Sequence, residues 1–323
     1  MSFDYCIYHR KCIDGISSAW TVQNYFPSIT LIECGAGENL AENIDIKSFD
    51  KKKILFVDVC PPTKNELVAL SKLATEIVII DHHVTTNELI QTIRNENNEN
   101  NENNEIKNIT LIFDETKAGC QLTWEYFCKG EEIPWFLNYI ADRDLWKTTM
   151  PYSKEINSAL YEDGHTKTFE NLNKLYKLKS VELKEFKEKL IRKGTILTEN
   201  KNSLIKQSSR TAVRCRYKDY NIWVYTCPRH IISDVGSKLV RWRFKDGTYP
   251  DFVMTWMYDL EDHSFSLAFR SAKNTVDVHV IARELSEKGG GHRNAAGCVL
   301  DGGTELRTIF IPYEDDEDEA ENV

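Results

Sequence analysis

The sequence has no apolar run approaching the roughly 20 residues that a membrane-spanning helix needs. Its start, Met1-Ser2-Phe3-Asp4, lacks a basic segment followed by an apolar core. Membrane insertion and a signal peptide are therefore not expected. A close-paired cysteine framework is also missing. The nine cysteines are scattered, and Cys6, Cys60, Cys120 and Cys227 lie inside apolar runs. That usage points to reduced thiols and a cytoplasmic location. A surplus of basic charge is absent too, the net charge being −9. Proteins that track long nucleic acid carry a basic stripe. Much of the negative charge lies in the tail Glu314-Asp315-Asp316-Glu317-Asp318-Glu319, within a solvated segment 314–323. Without it the chain is nearer neutral, which suits a small anionic substrate in a local pocket better than a long duplex.

The composition present is that of a soluble globular protein, 41% hydrophobic and 28% charged over 323 residues. That length allows two domains with sizeable cores. Asp4 to His9 alternates as a first strand and runs into Arg10-Lys11-Cys12-Ile13-Asp14-Gly15, where Gly15 and the small residues after it permit tight entry into a helix. A plain strand-to-helix turn capped by an acid would look the same. Thr30–Cys34, Lys53–Asp58 and Ile77–Ile80 read as further strands, with a helix around Asn65–Leu73. The fourth strand runs straight into Asp81-His82-His83.

Taken singly, His9, Asp14, Asp58 and the Asp81-His82-His83 triplet are ordinary loop residues. Their recurrence at the ends of successive apolar strands is harder to explain by capping, because neighbouring parallel strands bring their C-terminal ends to one edge. One carboxylate and two imidazoles there can hold a divalent metal or run acid–base chemistry.

Asn95 to Glu105 is low-complexity and has no apolar residue, and is read as a disordered insertion. Leu111–Asp114 resumes as a strand, Lys117–Cys128 as a helix, and Trp135–Trp146 as an amphipathic helix bearing Asp142 and Asp144 near its end. Two acids there oppose the helix dipole, so a metal ion or Arg143 should compensate. Phe169 to Leu204 is Lys/Glu-rich with apolar residues at helical spacing, read as exposed linking helices. From about Thr211 a second α/β pattern begins, with strands at Val213–Tyr217, Ile222–Cys227, Phe252–Tyr258 and Ser264–Phe269, and helices at Ile231–Arg243 and Val276–Leu285. It closes on Gly289-Gly290-Gly291-His292-Arg293-Asn294-Ala295-Ala296-Gly297, where glycines ahead of an expected helix would expose N–H groups to an anion.

The ordered set His9…Asp14-Gly15, Asp58, Asp81-His82-His83, Asp142 and Gly289-Gly290-Gly291-His292 resembles the DHH phosphoesterase superfamily. That group holds RecJ-like exonucleases, short-oligonucleotide hydrolases and 3′-phosphoadenosine 5′-phosphate phosphatases. The last motif, with the run Phe265 to Ser271 before it, is similar to the DHH-associated C-terminal domain. The resemblance implies a doubly wound, mainly parallel N-terminal sheet (1–165), a helical linker (166–210), a smaller C-terminal α/β domain (211–313), and an active-site cleft between the domains.

It further implies two Mn²⁺ ions, with Mg²⁺ as an option, held by His9, Asp14, Asp58, His82 and Asp142, with Asp58 bridging. Asp81 would orient the neighbouring imidazole. His83 would face the scissile phosphate, which a metal-activated hydroxide attacks. Arg270, Ser271, Gly290, Gly291 and His292 would bind substrate.

One stretch departs from the family pattern: much of the family has an Asp four residues after the His and another two further on, whereas here Cys12 stands three residues after His9 and Asp14 two after that. Either the Cys12 thiolate replaces the carboxylate at one metal or that site has one ligand fewer. A subset resembling this chain shares the H-x-x-C-x-D-G form and the Asp142-to-Trp146 helix end. The implied activity is hydrolysis of small nucleotides or short oligonucleotides. Cyclic-dinucleotide phosphodiesterase, 3′-phosphoadenosine 5′-phosphate phosphatase and impaired nucleotide sensor are the alternatives. The oligomeric state is open, a homodimer being one option.

Overall fold

The computed structural model describes residues 2–35, 37–42, 44–99, 108–273, 275–287 and 289–313. The chain divides into two compact units, residues 1–198 and 199–323. Among the described residues no helix is long and apolar enough to cross a membrane, and all nine cysteines are free thiols.

The first unit runs β1 (Tyr5–His9), α1 (Ile13–Tyr25), β2 (Thr30–Cys34), β3 (Lys53–Val57), α2 (Lys64–Leu73), β4 (Glu76–Asp81), α3 (Val84–Glu99), β5 (Ile109–Phe113), α4 (Gly119–Phe127), α5 (Trp135–Asp144), α6 (Ser153–Glu162), α7 (Phe169–Lys177) and most of α8 (Ser180–Ser209). Its five strands lie in the order β2-β1-β3-β4-β5, and every pairing is parallel. Both faces of such a sheet are covered, so its strands are near-continuous apolar runs. Ile7, Ile54, Phe56, Ile77 and Ile79 pack with Leu67, Leu70, Ile90 and Ile93 of α2 and α3 on one face. Cys6, Tyr8, Leu55, Val57, Val78 and Ile80 pack with Ala19, Val22 and Leu122 of α1 and α4 on the other. Gly15 lets α1 approach the end of β1, since a Cβ there would lie 2.5 Å from the His9 carbonyl oxygen.

Two expectations change here. The stretch after residue 166 is not an exposed spacer throughout. Leu172, Leu175 and Leu190 are buried with Trp20, Trp124 and Phe136, so the apolar stripe of α7 and early α8 completes a second core of the first unit. The low-complexity segment begins as helix, because α3 continues through Glu99; its remaining positions to 105 lie outside the described residues, as does the acidic tail.

The second unit carries the end of α8, then β6 (Val213–Tyr217), β7 (Tyr220–Tyr225), α9 (Ile232–Leu239), β8 (Phe252–Asp259), β9 (Ser264–Arg270), α10 (Val278–Leu285), β10 (Gly290–His292), β11 (Ala295–Asp301), α11 (Leu306–Ile309) and β12 (Ile311–Pro312). Seven strands order as β10-β11-β9-β8-β7-β6-β12. Among the described residues of this sheet only the β7–β8 pairing is parallel. Helix α9 covers one face through Val235 and Leu239 against Trp223 and Val253. Helix α10 covers the other through Val278, Ile281 and Ala282 against Leu267, Phe269 and Cys298.

The glycine-rich signature does not open a helix. Gly290–His292 pairs antiparallel with Ala295–Gly297, and the turn between them is Arg293-Asn294. The residues after it bury Ala296 and Cys298 alternately with more open neighbours, a period of two that belongs to a strand. The backbone there is largely engaged in a ladder rather than held open as a helix N-terminus.

Candidate metal centre

In the order β2-β1-β3-β4-β5 the chain leaves β1 for one side and returns to β3 on the other. The C-terminal ends of β1 and β3 therefore form the topological switch point, where open parallel sheets bind ligands. His9 closes β1 and Asp58 follows β3. Asp58 takes a left-handed conformation, φ 58°, which Asp tolerates better than most residues. Its N–H donates to the Ile80 carbonyl at 2.9 Å. That turn swings a carboxylate only 1% exposed into the space between the strand ends.

The two oxygens of Asp58 face different imidazoles. Oδ2 lies 3.3 Å from His9 Nδ1, and Oδ1 lies 3.3 Å from His82 Nε2 and 4.0 Å from His83 Nδ1. His82 Nε2 is also 3.4 Å from Asp144 Oδ2 and 3.7 Å from Asp14 Oδ2. Three donor sets result, each with ligand atoms within 4.8 Å of one another: His9, Cys12 and Asp58; Asp14, His82 and Asp144; and Asp58, Asp81, His82 and His83.

Electrostatics shows how strained this gathering is. Burial, followed by the charges of Asp58 and Asp144, raises Asp14 well above the usual carboxylate range. Asp144 is raised by the same burial and by Asp58. Burial works against charge on Asp58 as well, but the His82 and His9 imidazoles overcome it and hold Asp58 below its ordinary value. Burial opposes protonation of His82, yet Asp58 and Asp14 raise its pKa. The Cys12 thiol is pushed up by burial and by the Asp58 charge. Like charges in one buried site resist ionising together, and a divalent cation is the group that relieves them. The buried Asp58 Oδ1 makes no well-directed hydrogen bond although His82 Nε2 lies 3.3 Å away, an orphan that a cation would satisfy. Donor chemistry, geometry and this orphan all fit a divalent metal.

Asp81 is occupied differently. Its Oδ1 accepts from His82 N at 2.7 Å, His83 N at 3.2 Å and His83 Nδ1 at 2.7 Å, and its Oδ2 accepts from the Thr86 hydroxyl. Asp81 thus fixes the loop and points the His83 ring, leaving Nε2 free of that bond. The hydrogen bond to Asp81, against the opposing effect of burial, raises His83 to a pKa of about 9.

Asp142 is not brought to any of the three donor sets. Its Oδ1 accepts from Thr149 N and Thr149 Oγ1, both at 2.9 Å, and its carbonyl accepts from Lys147 N and Thr148 N. Residues two apart on a helix point about 200° apart, so only one of the two acids ending α5 can face the imidazoles, and that one is Asp144. Asp142 instead shapes the loop after it, where Trp146 (φ 53°), Thr148 (φ 46°) and Tyr152 (φ 56°) are left-handed and Trp146 is 73% exposed.

Helix α4 is a participant that the sequence did not announce. Gly119 N donates to Asp14 Oδ2 and Cys120 N to Asp14 Oδ1, each at 2.7 Å. These are first-turn N–H groups of the kind that seek an anion. A Cβ at Gly119 would lie 2.9 Å from Asp58 Cβ and 3.0 Å from Asp14 Oδ2. The only signal was small residues, Ala118-Gly119, opening a helix.

In the second unit, register aligns Arg270 with Ala295 and Ala295 with His292. Opposed residues on antiparallel strands project from the same face. The next row on that face is Ala268, Gly297 and Gly290. Arg270 and His292 thus flank a floor of small residues two strand spacings, about 10 Å, across. Arg270 donates through Nη2 to Ser233 Oγ at 3.0 Å and through Nη1 to the Phe269 carbonyl at 2.8 Å. It has no carboxylate partner among the described residues. Ser271 is buried, 8% exposed. Its hydroxyl accepts from Asn294 Nδ2 at 2.8 Å, tying β9 to the β10–β11 turn. Gly291 lies at φ 137° and is exposed.

No family model matches the sequence. An uncharacterized protein of Acanthamoeba polyphaga mimivirus is 29% identical over 315 residues, spanning 93% of this chain and 68% of that protein. The solved DHH domain of a protein assigned to a ribosomal-protein family superposes with a TM-score of 0.54 at 12% identity, over 94% of this chain and 84% of that one. A manganese-bound RecJ exonuclease superposes with a TM-score of 0.48 at 14% identity, over 92% of this chain and 86% of its own. The chain shares the fold of that solved DHH domain.

Proposed function

We propose that this protein is a metal-dependent phosphoesterase acting on small nucleotides or short oligonucleotides. The observation that carries the reading is Asp58, buried at the switch point with one oxygen toward His9 and the other toward His82. A carboxylate so placed is suited to bridge two cations. His9, Cys12 and Asp58 would hold one; Asp14, His82 and Asp144, with Asp58 shared, would hold the other. Two divalent ions, Mn²⁺ or Mg²⁺ in the first instance, would supply an activated nucleophile and neutralise charge on the phosphoryl oxygens.

The chain's own residues do the rest. Gly119 and Cys120 N–H groups keep Asp14 in place. Asp81 holds Nδ1 of His83, so Nε2 of the protonated ring can donate to a phosphoryl oxygen or to the leaving oxygen. Arg270, which has no acidic partner among the described residues, and His292 suit a terminal phosphate lying over the small-residue floor. Exposed Trp146, two residues beyond Asp144, offers a face for base stacking. The net charge of −9 favours short substrates over long duplex.

The test is product release with Mn²⁺ and with Mg²⁺ from a panel: a 5′-phosphorylated RNA dinucleotide, a longer single strand, a cyclic dinucleotide, 3′-phosphoadenosine 5′-phosphate and pyrophosphate. Asp58→Asn serves as control. Turnover of the dinucleotide above the others, lost in the control, is expected. Preference for the cyclic dinucleotide or for 3′-phosphoadenosine 5′-phosphate would move the assignment to those activities. No turnover on any, with metal bound, would overturn the enzyme reading in favour of a nucleotide sensor.

A further inference from the structure

The two donor sets that share Asp58 are chemically unlike. One offers an imidazole nitrogen from His9, the sulfur of Cys12 and a carboxylate oxygen from Asp58. The other offers carboxylate oxygens from Asp14 and Asp144 and the imidazole of His82. Nitrogen, sulfur and oxygen together suit zinc-class ions, whereas carboxylate-rich sets suit manganese and magnesium.

Cys12 occupies the N-cap position of α1 with extended backbone, φ −97° and ψ 131°. That position favours Ser, Thr, Asp or Asn, whose oxygens accept from the first turn, yet Cys12 makes no side-chain cap. Lys11 just before it is left-handed, φ 59°, and this turn brings the sulfur back toward His9 and Asp58. Once bound to a cation, the Cys12 thiolate would lie at the positive end of the helix dipole. The second independent observation is the convergence itself: one ligand atom each of His9, Cys12 and Asp58 lies within 4.8 Å of the others, and Asp58, 1% exposed, turns its Oδ2 toward His9 at 3.3 Å.

We infer that the centre is built for two different metals, a thiophilic divalent ion of the zinc class in the His9–Cys12–Asp58 half and a harder ion of the manganese or magnesium class in the Asp14–His82–Asp144 half. This rests on the metal-centre reading above but not on turnover. It replaces the expectation of two like manganese ions, because the sulfur gives one half a preference that an all-oxygen-and-nitrogen set lacks.

The experiment is metal binding to the full, metal-free chain, with Co²⁺ as the spectroscopic probe of the thiophilic half and Mn²⁺ paramagnetic resonance for the other. Wild type should give a thiolate-to-cobalt charge-transfer band in the near ultraviolet that saturates at one equivalent. Zn²⁺ should abolish the band, and millimolar Mg²⁺ should leave it. Cys12→Ser should lose the band while keeping its circular dichroism and one bound Mn²⁺; its Zn²⁺ affinity should fall on the order of 10-fold or more. The other eight thiols remain in that variant, so the lost band belongs to Cys12. Cys12→Asp should lose the band and gain affinity for a second Mn²⁺.

Cobalt bound without a charge-transfer band, or equal Zn²⁺ affinity in wild type and Cys12→Ser, overturns the inference. So does a failure to bind any divalent ion, which would remove the metal centre as well. A band with the expected competition but no hydrolysis of any substrate would leave the two-metal inference standing and sink only the phosphoesterase reading.

Discussion

The two sheets handle charge in opposite ways. In the parallel sheet, ionisable side chains collect at the strand ends, where His82 Nε2 has three carboxylate oxygens within 3.3–3.7 Å and Asp14 and Asp144 are driven up by burial and by Asp58. In the mixed sheet, Arg270 is satisfied by a hydroxyl and a carbonyl on a face of small residues. The first arrangement crowds like charges that a bound cation would relieve. The second is content alone and has spare capacity for an anion. On the function proposed, the contrast teaches that the first unit is shaped around metal and the second around the substrate's charge.

The comparison breaks most sharply at Asp58. Asp58→Asn should cut hydrolysis on the order of 1000-fold or more, as expected for an interaction essential to the transition state. The fold should persist, because Asn also tolerates the left-handed turn; circular dichroism of the metal-free protein checks this. Activity above a few per cent of wild type would remove the bridging role.

Next in size is Gly119→Ala. The added Cβ would crowd Asp58 and Asp14 and disturb the N–H groups that hold Asp14. Metal affinity measured by calorimetry should fall about 10- to 100-fold, the usual cost of losing support behind a ligand. Unchanged affinity would mean the helix start is only packing.

Arg270→Ala should raise KM roughly 10-fold with kcat changed less, since it would bind substrate uniformly rather than in the transition state. Metal affinity should not move. A fall in metal affinity would erase the division of labour between the two sheets.

The smallest expected effect is electrostatic. In the metal-free protein, His83 should titrate by NMR near 9 rather than at its ordinary 6.5. The shift is upward, so the stability it contributes is fully present below about 6.5 and is lost as pH rises through about 9. Asp81→Asn should bring the titration back down and flatten that dependence. A His83 pKa unmoved by the substitution would assign the shift to Asp58 and Asp144 instead.

The residue pattern carried a good deal of this. Apolar runs ending in His9, Asp58 and Asp81-His82-His83 placed a parallel sheet and its functional edge, because a strand buried on both faces must be apolar and the polar residues at its end must emerge at the sheet's rim. Local pattern also marked Cys12 as the odd member of its motif. It read the start of β11 as a helix, since a short Ala- and Gly-rich stretch has little periodicity of its own and the pairing with β9 decides it.

Tertiary structure alone decided three further matters. It set Asp144 rather than Asp142 beside His82, because the rotation of α5 against α1 and α4 cannot be read from two acids two residues apart. It enlisted Gly119, whose value lies in being too close to Asp58 and Asp14 for any side chain. It turned Asp58 so that its oxygens face His9 and His82, through a left-handed residue between β3 and α2. The sequence determined which donors exist and at which strand ends they stand. Which of them could share a cation depends on distances between elements far apart in the chain, and only the packed fold sets those.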